Sequence, residues 1–333
     1  MKQRLDYIDI AKGIGIILVV LSHTDYSDIM YYTLAFYVPI FFLCSGYTSS
    51  PKTTQIAFKE NLKRHATKLI KPYFFYNFIL ILIFRQFYLQ GIIGIFYSRY
   101  CLYPTEATEP YRFFINGNFP LWFLTCMIVS YLLFYILIYH PKQQYYFASG
   151  YLIITFLLSY LPILLPWSFD TAFYMALFMF SGMKLREIFP SIYESKRIPS
   201  LVVLSIVLYL LLIPFCDGIN LSVRKYGSSI ATCFIAGLSG CITTIYIANL
   251  LKNTLVGKIL QQVGKHSLTI FCLEIPFIVL IGRPIANFLF ENFNSQQIVS
   301  ISTSIVETFI ACVGGYCLSI ILQSNRFYNK LLF

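Results

Sequence analysis

The sequence predicts an all-α, polytopic transmembrane helix bundle, and three observations predict it. Of 333 residues, 58% are apolar or aromatic and only 12% are charged, about half the ~25% typical of soluble domains. The charges gather in short clusters separated by apolar runs of about 17 to 22 residues, the length at which a helix crosses ~30 Å of hydrocarbon. The basic excess, 25 Lys plus Arg against 14 Asp plus Glu, falls mainly on alternate connections. So thin a polar surface excludes a soluble enzyme, a secreted disulfide scaffold and a nucleic-acid binder; the bilayer is the expected surrounding, and no nucleic acid is expected as a partner.

About ten spans are expected, over 8–24, 29–48, 72–92, 120–139, 146–162, 168–183, 199–215, 228–250, 267–283 and 298–321. Lys2 and Arg4 precede the first run, but Asp6, Asp9 and Lys12 interrupt it and no small-residue cleavage site follows, so it is expected to stay as a helix and not to be removed as a signal. Pro72 is expected to open the third span, with Arg85 inside it; Pro162 and Pro166 flank the short fifth and sixth spans. With a cytoplasmic N-terminus, 18 Lys or Arg lie in inside segments and five (Arg99, Arg112, Arg224, Lys225, Arg283) in outside ones, while Lys12 and Arg85 fall within spans. That bias predicts both termini on the cytoplasmic side. The longest connection is about 23 residues, too short for an extramembrane module, so residues 1–333 are expected to form one integral membrane domain with no appended soluble domain.

Nine cysteines are present, seven inside apolar runs, and none has the two-residue spacing of a metal or redox pair. They are expected to pack the core and to hold no metal. Cys101 and Cys216 fall in outside connections and are the only two for which pairing is considered.

An ionisable side chain in hydrocarbon costs at least ~2.5 to 3.5 kcal/mol, so each one inside a span marks a site or a structural pair. The filter selects Lys12 and His23 in the first span, Arg85 in the third, Glu274 in the ninth and Glu307 in the tenth. Lys12 and His23 are eleven residues apart, within about 20° of three full helical turns, so they share one face. With Lys12 at the inner rim, His23 lies beyond the midplane beside Ser22, Thr24 and Asp25. Its ordinary pKa near ~6.5 suits a general base; an interfacial hydrogen-bonded histidine is the plainer reading. Lys63, Arg64 and Lys68 belong to a basic stretch ending at Lys71. If that stretch is helical, Arg64 and Lys68 share a face with Glu60, and such a face suits a phosphorylated ligand or lipid headgroups.

Five segments then resemble one family. RLDYIDIAKGIGIILVVLSH (Arg4 to His23), FYVPIFFLCSGY (Phe36 to Tyr47), KLIKPYFFYN (Lys68 to Asn77), FPLWFL (Phe119 to Leu124) and GKHSLTIF (Gly264 to Phe271) are similar, in order, to the acyltransferase-3 family of integral membrane acyltransferases, in particular its fucose 4-O-acetylase-like branch. The resemblance implies transfer of an acyl group, usually acetyl, from cytoplasmic acetyl-CoA to a sugar hydroxyl of an exported or lipid-linked glycan, in a bacterial inner membrane. Acetyl-CoA is then a donor substrate, with no tightly bound cofactor. Carried over by position, His23 is the base or a transient acyl carrier, Lys12 its basic companion, and Arg64, Lys68 and Lys63 the contacts to the donor phosphates. Glu274 is placed in the catalytic set; it and Glu307 are groups that can hold the histidine's tautomer, bind sugar hydroxyls or pair with Arg85. Asn116, Asn118, Trp122 and Tyr37 are the expected acceptor contacts.

The chain departs from the family pattern at Tyr37, where histidine is common, at Glu274, likewise, and in the three-residue spacing between Arg64 and Lys68. The soluble esterase-like domain that some members append is not expected here. Ser45-Gly46 reads as close helix packing. A transporter or exporter of a glycan or small solute, performing no acyl transfer, is the alternative the same architecture allows.

Overall fold

A computed structural model describes residues 5–24, 32–49, 55–105, 120–188, 198–290, 296–326 and 328. Among them the regular structure is helical, with no strand and a single bridge between Asn220 and Lys225. Six helices are long and apolar enough to cross a membrane: Phe58–Phe84, Trp122–Tyr139, Ile198–Cys216, Ile230–Leu251, Ser267–Phe290 and Ile298–Ser324. The last five fall on expected runs, whereas Phe58–Phe84 shares with the expected 72–92 only the part from Pro72 onward. The other four runs contain helices that fall short of that standard: α1 (Asp6–Ser22) has 17 residues, α2 (Pro39–Thr48) has 10, and the helix Gln144–Ser159 has 16. The fourth, Phe169–Ile188, is interrupted by Asp170, Lys184, Arg186 and Glu187.

The third helix corrects the sequence reading. Here α3 runs Gln55–Phe84 with Pro72 inside it, not at its start. The basic stretch before Pro72 is built of good helix formers such as Glu60, Leu62 and Lys63, so the helix is already under way when the proline arrives. The proline removes only one hydrogen bond from a 30-residue ladder. Arg85, expected within the span, takes a left-handed φ of 53° just past Phe84 and is exposed.

The chain divides into two compact units. The first comprises residues 1–41, 192–213 and 235–330. It holds α1 and, in our numbering, α8 (Ile198–Leu212), most of α9 (Ile230–Leu251), α10 (Leu255–Lys265), α11 (Ser267–Phe277), α12 (Arg283–Phe290) and α13 (Gln296–Ser324). Its tightest crossing joins α1 to α10. A β-carbon on Gly13 would strike the Leu260 carbonyl, and one on Gly264 the Asp9 carbonyl, so the two backbones touch only because both positions lack one. The α13 helix then lies along α11 and α1.

The second unit comprises residues 42–191 and 214–234. It holds α3, α4 (Leu89–Tyr97), α5 (Trp122–Tyr139), α6 (Gln144–Ser159) and α7 (Phe169–Ile188). The α5 helix is central: it packs on α3, α6 and α7, and most of its residues are buried. Gly46 of α2 lies on the Met179 backbone and Gly182 of α7 on that of Leu43, the close packing expected around Ser45-Gly46. Connections at one end of this unit meet on a buried clamp. Arg99 donates to the carbonyls of Leu165 (3.0 Å) and Ser222 (2.7 Å) and to Asp170. Arg224 donates to Ile163 (2.9 Å), Leu161 and the other Asp170 oxygen (3.0 Å). Beside this clamp, burial pushes the phenol pKa of Tyr226 up, and the Asp170 charge adds to the rise.

None of the nine cysteines is in a disulfide, and eight are buried. Cys101 packs with Tyr100, Leu164 and Val223, while Cys216 faces Cys233.

Candidate active site

His23 stands at the C-terminal end of α1. Apolar residues carry this helix to Ser22, and there the backbone turns out of helical geometry, with φ −101° and ψ 3° at His23. The last turn is closed by its own hydroxyls: Ser22 Oγ donates to the Val19 carbonyl (2.6 Å) and Thr24 Oγ1 to that of Leu21 (2.8 Å). The imidazole is thereby presented beyond the end of a helix and not along its side. Its side chain keeps 18% exposure, whereas Glu274 opposite has none.

Glu274 comes from α11, where Pro276 and a π-helical turn over Ile278–Gly282 follow it. Such turns widen a helix locally and concentrate at functional sites. His23 Nδ1 lies 2.8 Å from Glu274 Oε1. A buried carboxylate at that distance orients the ring, favours a proton on Nδ1 and stabilises the imidazolium once Nε2 has taken a second proton. Tyr37 completes the group. Its hydroxyl is within hydrogen-bonding reach of Ser22 and within electrostatic reach of Glu274. Of the residues picked from the sequence, His23 and Glu274 therefore meet, and Tyr37 lies near them beside Ser22.

Lys12 lies elsewhere on α1, half-buried and eleven residues from His23. Asp9 near it is buried, and Asp6 accepts from Gln261 Nε2 at 2.5 Å. Glu307 pairs with Arg283 (Oε1 to Nε, 3.1 Å). In the second unit Lys63, Arg64 and Lys68 are exposed on α3, and Arg64 Nη2 donates to Asn61 Oδ1 at 3.1 Å. Trp122 is buried at the first turn of α5 with its ring at right angles to that of Phe123. Asn116 and Asn118 lie outside the described residues.

Sequence reasoning passed over His65, one residue beyond Arg64. Its ring stacks on Tyr131 with centroids 4.3 Å apart and planes at 23°. The available signal was the run of aromatics at 131, 135 and 139, which at helical spacing form one face. No metal-holding cluster of His, Cys, Asp or Glu occurs among the described residues.

Chemically, the first-unit group is a histidine with a carboxylate on one nitrogen and partial access on the other. That arrangement moves protons to and from a hydroxyl. Across residues 5–323 the chain matches the family model Acyl_transf_3, described as an acyltransferase domain. No curated protein matches it.

Proposed function

From the premise that this chain belongs to the Acyl_transf_3 family of acyltransferases, we propose that it is a membrane O-acyltransferase moving acetyl from acetyl-CoA to a sugar hydroxyl of a cell-surface or exported glycan. The observation that carries the reading is the 2.8 Å contact between His23 and a fully buried Glu274. Neutral His23, its Nδ1 proton directed at Glu274, takes the proton of the sugar hydroxyl on Nε2 as that oxygen attacks the thioester carbonyl. The new C–O bond forms, the C–S bond breaks, and the departing thiolate takes the proton back from the imidazolium. Glu274 holds the charge of the imidazolium meanwhile.

Lys63, Arg64 and Lys68, exposed along one helix, suit the phosphates of the CoA nucleotide. Lys12 supplies positive charge along the first helix. Acetyl-CoA enters from the cytoplasm in this reading, both termini face that side, and the membrane is the bacterial inner membrane. The five matching segments favour the fucose 4-O-acetylase-like branch. Asn116, Asn118, Trp122 and Tyr37 are the proposed acceptor contacts.

The test uses purified protein in liposomes, [14C]acetyl-CoA, and surface glycan of the parent cells stripped of ester groups with mild base. Native protein is expected to label the glycan, and His23→Ala to lower the rate by about 10²- to 10⁴-fold, the usual worth of a general base. Label retained on His23 without glycan would make that residue an acyl carrier. Glycan crossing the bilayer unlabelled, with native protein and variant alike, would replace the enzyme with a transporter.

A further inference from the structure

In a helix surrounded by hydrocarbon or protein, a serine or threonine hydroxyl ordinarily donates to a carbonyl one turn back on its own helix. This chain follows the rule repeatedly: Thr67 donates to Lys63 (2.7 Å), Thr155 to Tyr151 (2.8 Å), Thr243 to Ser239 (3.0 Å) and Thr244 to Gly240 (2.8 Å). Two hydroxyls of α13 break it. Ser304 Oγ and Thr308 Oγ1 are buried and have no hydrogen-bond partner among the described residues, although Ser304 itself is 1% exposed. A buried polar group left unsatisfied costs about 1 to 3 kcal/mol, while the partner in its own helix is always at hand. Hydroxyls turned away from it are turned toward something else.

Their position says toward what. Ser304, Thr308 and Cys312 are four residues apart and form one stripe down α13, each step rising about 6 Å. With Gly315 against Ile270 and Glu307 against Gly282, Glu274 lies about level with Cys312, so the stripe begins at the height of the His23–Glu274 pair. The antiparallel register fixes its direction: Gly315 packs on Ile270 of α11, Gly314 on Phe277, and Glu307 on Gly282. Thr308 and Ser304 therefore lead from Glu274 toward the Arg283–Glu307 pair. The α1–α10 crossing at Asp9 and Gly13, where Lys12 sits, is at the opposite end of the helices. Glu274 Oε2, also buried and without a hydrogen-bond partner, opens the stripe.

We infer that Ser304 and Thr308 form, with Glu274 Oε2, a subsite for hydroxyls spread around the ring of a neutral sugar on the side of His23 remote from Lys12. Each hydroxyl gives one donor and two acceptor positions, and the carboxylate oxygen accepts, which matches the mixed donors and acceptors of sugar hydroxyls. A cation would find Glu274 and Glu307 already facing His23 and Arg283; an anion would meet two carboxylates. The inference rests on the acyl-transfer reading and adds where the acceptor binds. The amides and hydroxyl of a pantetheine arm offer similar chemistry, so the experiment separates donor from acceptor.

Two measurements do so. In the reconstituted protein, Ser304→Ala/Thr308→Val is expected to raise the half-saturating concentration of base-stripped surface glycan about 10- to 100-fold, the loss of two ordinary hydrogen bonds. Hydrolysis of acetyl-CoA without glycan should stay within about twofold of native. Separately, Ser304→Cys and Thr308→Cys are expected to react with a hydrophilic methanethiosulfonate, located by peptide mass mapping against the native cysteines, and to be shielded by the stripped glycan. Equal loss of both reactions would assign the stripe to the donor or to folding, and unreactive cysteines would close it to sugar; either result overturns the subsite. If native protein fails to label the glycan, the acceptor reading falls by itself, and cysteine reactivity still decides whether the stripe is an open site.

Discussion

Glu274 is where one side chain decides most. Without charge at that position the His23 ring loses both its orienting partner and the group that stabilises its protonated form. Glu274→Gln keeps the size and the hydrogen-bonding capacity of the side chain. The expected outcome is a fall in kcat of about 10²-fold with little change in the half-saturating acetyl-CoA concentration, read as release of CoA thiol. A raised half-saturating acetyl-CoA concentration at unchanged kcat and undiminished thermal stability would make Glu274 a donor contact. The sequence identified each member of this group but not their meeting. His23 stood out because it is ionisable in an apolar run, and Glu274 for the same reason, yet nothing in the 250 positions between them encodes contact. Tyr37 entered only through resemblance, and its link through Ser22 depends on where α1 stops, which no periodicity specifies. The options left to Glu307 included Arg85, and its partner is Arg283, because α3 ends at Phe84 and carries Arg85 out onto the surface.

Helices were the most legible level, and their ends the least. Apolar run length marked all six helices fit to cross a membrane, since burial of a continuous apolar cylinder needs nothing beyond local composition. It misjudged α3, where a basic amphipathic stretch continues the apolar part without a break, so that a proline read as an opening became an interior residue. Close crossings are also faintly written. The segment GKHSLTIF carries its glycine for a contact 255 residues away, Gly264 against the Asp9 carbonyl, and its histidine for Ser319 (2.8 Å). Adding one methyl at such a crossing forces two backbones apart. Gly264→Ala is therefore expected to destabilise by about 1 to 3 kcal/mol, seen as a lower thermal transition in intrinsic fluorescence. Gly150→Ala is the control: nothing lies within 4 Å of an added β-carbon there, and alanine in mid-helix should leave the transition unchanged or raise it. Equal effects at both positions would show that the crossing is not tight.

At the scale of the molecule, long-range closure in the second unit depends on a charge balance that sequence reading inverted. Arg99 and Arg224 lie in connections, where exposed topology-setting cations are expected; instead both are buried around one carboxylate, with side chains 0% and 1% exposed. Their remaining donors go to main-chain carbonyls up to 123 residues distant, so the guanidinium groups replace the water those carbonyls would otherwise need. Two cations share one anion. Asp170→Asn keeps the shape but leaves two uncompensated buried guanidinium groups, which predicts a loss of about 3 to 5 kcal/mol, the cost of breaking a buried pair from one side. The surface offers the contrast. Lys184 and Glu187 form a 2.7 Å pair between partly exposed side chains, and Lys184→Ala is expected to cost under about 1 kcal/mol. Thermal unfolding of the two variants in the same detergent measures the difference. If Asp170→Asn unfolds no earlier than Lys184→Ala, the clamp is not what joins these connections, and the carbonyls it covers must be satisfied by water instead.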